Sequence, residues 1–326
     1  MAMCSNVCPG VCRPDLVGEA QTRELAGQLF ESLRRVMRMD PRIEVHPGHG
    51  AGSLCGAGIG SEPSSTIGRE ADQNPMLRHA DREAFIDAVM ADLPERPPYF
   101  ARMKRINQEG PERLGLVNGP RRLPAIRPMA AAALAADGAV LIDLRPPAAF
   151  ASGHPDGAIN LGYGSKVGYW SGWVLPPDVP LLLAGADTAQ MQDAAVQLLR
   201  VGFDRIEGAI DGGFEAWEAA GLPTAAIAQA SADDLRSEAR PLRILDVRTA
   251  REWRAGHLPG AINIPVGELP ERVEELRAET AIATICESGY RSSLAASLLM
   301  REGVSGVVNV TGGMAALRAL PEATRS

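Results

Sequence analysis

The sequence predicts an α/β protein with two parallel-sheet domains in tandem behind a separate N-terminal segment. Three observations point to it. Short apolar strand patterns alternate with amphipathic helical runs. Residues 125–226 and 232–324 echo one another. One cysteine, Cys286, stands where a strand pattern runs through a tight loop into a helix pattern.

A chain of 326 residues suggests two or three domains at roughly 150 residues each, and 45% apolar content allows sizeable cores. A net charge of −7 leaves no basic surplus to neutralise phosphates, so a general nucleic-acid binder is not expected. No run of 18 or more apolar residues suggests a membrane-spanning helix. The start, Met1 to Val7, has neither a basic region nor an apolar one, so no secretory signal is expected there. Of five cysteines, an odd number, four lie in the first 55 residues. These features predict a reduced, cytoplasmic protein. Cys4, Cys8 and Cys12 recur every fourth residue without the close pair and fourth ligand that a structural metal needs, so a poorly ordered end is expected there.

In the N-terminal segment, Pro14 to Met39 places Leu25, Leu29, Leu33 and Val36 at helical spacing. Arg42 to His46 reads as a short strand, and Asp81 to Leu93 as a helix.

The repeat is read pair by pair. Val140 to Arg145 matches Ile244 to Arg248, Phe150 to Asn160 matches Trp253 to Asn263, and Asp211-Gly212-Gly213 matches Thr311-Gly312-Gly313. Each copy alternates strands with helical runs such as Thr188 to Arg200, Glu271 to Arg277 and Ser293 to Arg301, the pattern of a parallel sheet covered by helices. Ala225 to Arg240 reads as the linker between copies.

The chemistry is expected at Cys286. The run Ala281 to Ile285 is a strand, and Cys286-Glu287-Ser288-Gly289-Tyr290-Arg291-Ser292 leads from its end into a helix. Such a loop turns backbone N–H groups inward at a helix N-terminus and favours an anion at its centre. A thiolate placed there is the nucleophilic form of cysteine. Sites in parallel sheets lie at the carboxyl ends of strands, where Cys286 falls.

Asp246-Val247-Arg248, Glu252-Trp253, the run Gly256 to Pro265, the cysteine loop and Thr311-Gly312-Gly313 together resemble the rhodanese (sulfurtransferase) family. The resemblance implies two tandem rhodanese-like domains. It also implies sulfane-sulfur transfer from thiosulfate or a low-molecular-weight persulfide to a thiol or cyanide, through a Cys286 persulfide, with no cofactor. Loop groups from Glu287, Ser288, Gly289, Tyr290, Arg291 and Ser292 are expected to hold the substrate, with Asp246, Arg248 and Glu252 supporting. Arg291 is the candidate to orient an anionic donor, with a salt bridge to Glu252 or Asp246 as its alternative role. Glu287 puts a negative charge beside the nucleophile and is expected to favour neutral or cationic donors over thiosulfate. His257 recurs as His154 and is read as structural.

Aligning the helices puts Gly185 where Cys286 stands. The loop from Gly185 to Gln190 has neither cysteine nor arginine, so residues 125–226 are expected to be catalytically silent.

The N-terminal 120 residues resemble the C-terminal part of a metallo-β-lactamase-fold domain of the persulfide dioxygenase-like kind. The resemblance rests on Arg13-Pro14-Asp15-Leu16, His46 to Gly56, Ser61 to Gly68 and Tyr99 to Asn107. The family's His-x-His-x-Asp-His metal motif is absent, Gly10 stands where its aspartate is expected, and only His49 keeps a ligand position. One histidine cannot hold a mononuclear site, so no metal and no dioxygenase or hydrolase activity is expected. A truncated sheet is expected to leave an apolar patch, and residues 1–226 are the expected surface for a protein partner or a second copy of the chain.

Two other functions fit parts of this pattern. Phosphatase or arsenate-reductase relatives of the fold separate cysteine and arginine by five residues, and four separate Cys286 from Arg291. The chain could also be a persulfide carrier or scaffold acting only within a partner complex.

Overall fold

A computed structural model describes residues 19–47, 62–91, 97–110, 122–185, 187–236, 242–279 and 281–320. The chain forms two compact units, Met1–Arg96 and Pro97–Ser326. Cys4, Cys8, Cys12, Cys55, His49 and the Arg13-Pro14-Asp15-Leu16 run lie outside the described residues.

In the first unit, α1 (Glu19–Val36) is followed by β1 (Glu44–Val45), which pairs antiparallel with β2 (Ser65–Thr66), and then by α2 (Ile67–Gln73) and α3 (Arg82–Ala91). The helical stripe of α1 puts Leu29, Phe30 and Leu33 against Val45, Ile67 and Phe85 in a small core. Phe30 and Phe85 meet with ring centroids 5.4 Å apart. Met39 and Ile43 stay exposed. His46 faces Glu44 at 3.2 Å on the exposed surface.

The second unit begins with α4 (Tyr99–Glu109), a run the sequence reading counted with the N-terminal segment. It packs instead on the first sheet domain. Tyr99 lies where a β-carbon on Gly172 would stand. Arg102 donates to the Val201 carbonyl at 2.7 Å, with its guanidinium 4.7 Å from the Phe203 ring centroid.

The first copy runs β3 (Ala125–Ile126), α5 (Pro128–Ala136), β4 (Val140–Asp143), α6 (Pro147–Ser152), β5 (His154–Pro155), β6 (Ile159–Asn160), α7 (Val167–Val174), β7 (Leu181–Ala184), α8 (Thr188–Arg200), β8 (Ile206–Ile210), α9 (Gly213–Ala219) and β9 (Thr224–Ala225). The second runs β10 (Ala228–Ala230), α10 (Ala232–Arg236), β11 (Arg243–Asp246), α11 (Ala250–Arg254), β12 (Ile262–Asn263), α12 (Leu269–Arg272), β13 (Ile282–Ile285), α13 (Tyr290–Arg301), β14 (Val307–Val310) and α14 (Gly313–Ala319). The two five-stranded sheets are parallel throughout, in orders β3-β8-β7-β4-β6 and β10-β14-β13-β11-β12, and β5 pairs antiparallel with β9 apart from them. The central strands β4, β7 and β13 are buried along their whole length, as runs such as Leu181-Leu182-Leu183 require when helices cover both faces.

Two boundaries differ from the sequence reading. Ala228–Ala230, read as linker, is an edge strand of the second sheet, paired with β14. Its run of alanine and glutamine carries no strand pattern, and the partner strand decides it. The helix expected over Glu271 to Arg277 is the short α12 followed by a 3₁₀ turn, Val273–Leu276.

The two copies share one continuous core. Helix α13 lies against β6, the far edge of the first sheet. Asn160 fastens the contact. Its side-chain NH₂ donates to the carbonyls of Asp143 and Arg145, its carbonyl oxygen accepts from Ser293 Oγ at 2.6 Å, and its backbone N–H donates to Ser297 Oγ at 3.0 Å. Arg301 adds a bond to the Gly157 carbonyl at 2.7 Å. Asn263 makes the same two carbonyl bonds in its own domain, so the asparagine is an internal brace of each copy that the first copy also uses between domains.

Asn160→Ala leaves the Ser293 hydroxyl and the Arg145 carbonyl without these partners in a buried interface, while the Asp143 carbonyl keeps only the Leu161 N–H. The expected loss is about 2–3 kcal/mol in urea unfolding of the full chain; an unchanged unfolding midpoint would show that Asn160 does not fasten the domains.

Candidate active site

The cysteine loop is shaped from below by α14. The first N–H groups of that helix have no intrahelical partner, and two of them bond the loop: Met314 N–H to the Cys286 carbonyl at 2.8 Å and Ala315 N–H to the Glu287 carbonyl at 3.0 Å. With those carbonyls turned toward α14, the N–H side of the loop faces the sulfur. The contact needs Gly313, which has φ +56°, and a β-carbon there would stand 2.3 Å from the Cys286 carbonyl oxygen.

Cys286 is 1% exposed and follows β13 directly. Its Sγ accepts from Gly289 N–H at 3.1 Å and lies 3.5 Å from Ser292 Oγ. Gly289, with φ +99°, caps α13. Thr284, buried in β13, places its hydroxyl 3.0 Å from the Ser292 carbonyl and 3.2 Å from the Val308 carbonyl, tying the start of α13 to the sheet. The sulfur therefore sits at a helix N-terminus with one backbone donor and one hydroxyl on it, an environment that suits negative charge.

Arg291 takes the alternative role. It does not project free toward the loop centre. Its Nη1 and Nη2 donate to the two carboxylate oxygens of Glu252, both at 2.6 Å. Glu252 is held in turn by Thr249, whose backbone N–H and hydroxyl donate to Oε2 at 3.0 and 2.8 Å in the capping box of α11. Burial raises the Glu252 pKa, but the Arg291 fork and the Thr249 donors outweigh it and bring the group down to about 2.

Asp246 and Arg248 pair with each other at the adjacent strand end. Arg248 is 3% exposed, donates Nε to both Asp246 oxygens at 3.0 Å, and reaches the Gly256 carbonyl at 2.7 Å. Its Nη1 lies 3.9 Å from Glu287. Glu287, expected to set a negative charge beside the nucleophile, is also paired with Arg318. Ser288 is exposed. The Tyr290 hydroxyl is buried with no protein partner, and burial pushes its pKa up to about 12. His257 stacks on Trp253 with centroids 3.6 Å apart and bonds its carbonyl, as His154 does with Phe150.

The first copy keeps the frame and lacks the cysteine. Asp143 and Arg145 pair as Asp246 and Arg248 do. Gly213, with φ +63°, approaches the Gly185 carbonyl as Gly313 approaches that of Cys286, which confirms the alignment of Gly185 with Cys286. A β-carbon on Gly185 would meet Met191 Cγ at 3.2 Å. Met191 takes the position of Ser292, so a thioether fills the place of the thiol and its hydroxyl partner. That substitution is visible in the sequence but gains meaning only from the contact.

Among the described residues no cluster of three or more His, Cys, Asp or Glu could hold a metal ion, and no helix is long and apolar enough to cross a membrane.

The chain belongs to the rhodanese-like domain family, whose model matches residues 128–220 and 228–320. It is similar to the thiosulfate sulfurtransferase GlpE of Pseudomonas entomophila, 40% identical over 92 residues, which are 28% of this chain and 82% of that protein. It is also similar to the "Putative sulfur carrier protein YrkF" of Bacillus subtilis, 44% identical over 73 residues, 22% of this chain and 40% of that one. Among solved structures, a metallo-β-lactamase of Staphylococcus aureus matches with TM-score 0.50 and 30% identity, over 58% of this chain and 51% of that chain. The expected metallo-β-lactamase-like N-terminal part has its counterpart in this neighbour. The chain thus spans about half or less of the length of two of these three proteins.

Gly313→Ala forces the loop off α14. The expected result is a loss of about 2 kcal/mol or more in stability, together with faster alkylation of the Cys286 peptide by iodoacetamide, read by mass spectrometry. An unchanged melting temperature and labelling rate would contradict the close approach. The Glu252–Arg291 pair makes a second prediction. Because the folded-state pKa lies below the unfolded one, the pair's stabilisation is present above about 4.5 and is lost as pH falls toward about 2. Urea midpoints across that window should fall less steeply for Glu252→Gln than for wild type.

Proposed function

We propose that this chain is a sulfurtransferase that carries sulfane sulfur on Cys286. The observation that supports this best is the buried sulfur at the mouth of α13, held by Gly289 N–H in a loop whose carbonyls face away. In the first half-reaction the Cys286 thiolate attacks the outer sulfur of thiosulfate or a low-molecular-weight persulfide. The S–S bond of the donor breaks, and sulfite or the donor thiolate leaves with the electron pair. The new Cys286 persulfide then loses its outer sulfur to a thiol or to cyanide, and the thiolate returns, a ping-pong sequence. No cofactor enters this scheme, and the Gly185 copy takes no chemical part in it. We place the reaction in the cytoplasm, where the thiol stays reduced.

The phosphatase reading has less support. A tetrahedral oxyanion needs a wider loop with its arginine free, and Arg291 is engaged by Glu252. A second reading has support from the likeness to a protein named as a sulfur carrier: Cys286 would then pass sulfur only within a complex.

Thiosulfate:cyanide turnover and glutathione persulfide:cyanide turnover, measured for wild type and Cys286→Ser, test the proposal. Turnover in wild type that falls to background in the variant is expected. A folded, reduced wild type that turns over neither donor, yet accepts sulfur from a partner protein, would favour the carrier.

A further inference from the structure

Among the described residues, three arginines around the cysteine loop are each paired with a carboxylate. Arg248 is paired with Asp246, Arg318 with Glu287, and Arg291 with Glu252. The last pair matters most, because Arg291 belongs to the loop itself and is 15% exposed on its side chain. Its two terminal nitrogens, the pair that would fork onto two oxygens of an anion, both face Glu252. Glu252 cannot readily let go. It accepts from four donors, with the N–H and hydroxyl of Thr249 and Arg291 Nη1 on Oε2 and Arg291 Nη2 on Oε1.

We propose that Glu252 is a specificity-determining positioning residue: by holding Arg291 it denies the loop's guanidinium to a small oxyanion donor, and the site takes its sulfur from organic persulfides in preference to thiosulfate. This deepens the sulfurtransferase reading and rests on it. A persulfide donor, R–S–S⁻, brings no sulfonate to the loop. The Cys286 thiolate attacks its terminal sulfur, the S–S bond of the donor breaks, and R–S⁻ leaves with the electron pair and takes a proton from solvent. No oxidant or reductant is consumed. Thiosulfate must set a group bearing charged oxygens beside the attacked sulfur, where the loop's arginine is neutralised and Glu252 adds negative charge. The partnering of Glu287 with Arg318 and Arg248 removes that residue as the main source of discrimination.

Glu252→Gln tests this in the full chain. Glutamine keeps the capping box, since it serves at the third helical position as glutamate does, so α11 retains its start. With cyanide as acceptor, the thiosulfate-to-glutathione-persulfide ratio of kcat/KM is expected to rise about tenfold, mostly through a lower KM for thiosulfate. The gain should vanish in Glu252→Gln/Arg291→Met, because it passes through Arg291. Glu252→Asp, whose shorter arm cannot hold both nitrogens, should move the ratio the same way by a smaller factor and serves if the glutamine variant folds poorly. Calorimetry of thiosulfate binding to Cys286→Ser, with and without Glu252→Gln, needs no turnover and should show tighter binding with the glutamine. A ratio and a thiosulfate affinity that stay level or fall, or a gain that persists without Arg291, would overturn the inference. Failure of wild type to turn over either donor would instead strike the sulfurtransferase reading, and the calorimetry would still decide whether Glu252 withholds Arg291.

Discussion

The active loop depends on one contact, the N-terminus of α14 against the carbonyls of Cys286 and Glu287. A helix start has N–H groups that must find acceptors, and a loop can aim its own N–H groups inward only if its carbonyls are bonded elsewhere. Each need meets the other. The close approach admits no β-carbon at Gly313, and the same approach recurs at Gly213 in the first copy, where no reaction is expected. The contact is therefore part of the domain's frame before it is part of any chemistry.

The two copies show one frame with and without a cysteine in its loop. Sheet order, the aspartate–arginine pair, the stacked histidine and the double-glycine turn are common to both. At the loop, a glycine backed by a methionine stands in place of the cysteine and its serine. The first copy's edge has a separate use. Asn160 receives α13, so the helix that begins at the reactive loop is anchored along its length by the neighbouring domain. Removing the first copy would uncover Ser293, Ser297 and the apolar face they lie on, which gives it a packing role that needs no thiol.

Charge around Cys286 is arranged in closed pairs. Asp246–Arg248 is nearly dry, Glu252–Arg291 is partly buried and held by Thr249, and Glu287–Arg318 lies near the surface. Buried ions must be paired to be tolerated, and here pairing also removes the loop's arginine from the solvent-facing side. What remains on the sulfur are a backbone N–H and a serine hydroxyl, groups that orient a polarisable anion without adding net charge.

Much of this was legible in the sequence, because the signals were local or repeated. Strand–loop–helix patterning located Cys286 at a strand end, the repeat gave two α/β domains, and Gly185 was aligned with Cys286 before the contacts of the two loops were known. The same motifs singled out Asp246, Arg248 and Glu252, which the structure places in ion pairs around the loop. Tertiary structure decided what depends on neighbours distant in the chain. It assigned Ala228–Ala230 to a sheet because β14 offers bonds there, and it placed α4 on the first copy because Gly172 leaves room for Tyr99. It also chose between the two roles left open for Arg291, since a side chain can reach substrate or carboxylate with equal ease until packing fixes a carboxylate 2.6 Å away. Periodicity and spacing determine which elements form and where a nucleophile stands; which charges meet is set only when the elements pack, because electrostatic partners are chosen by distance in space.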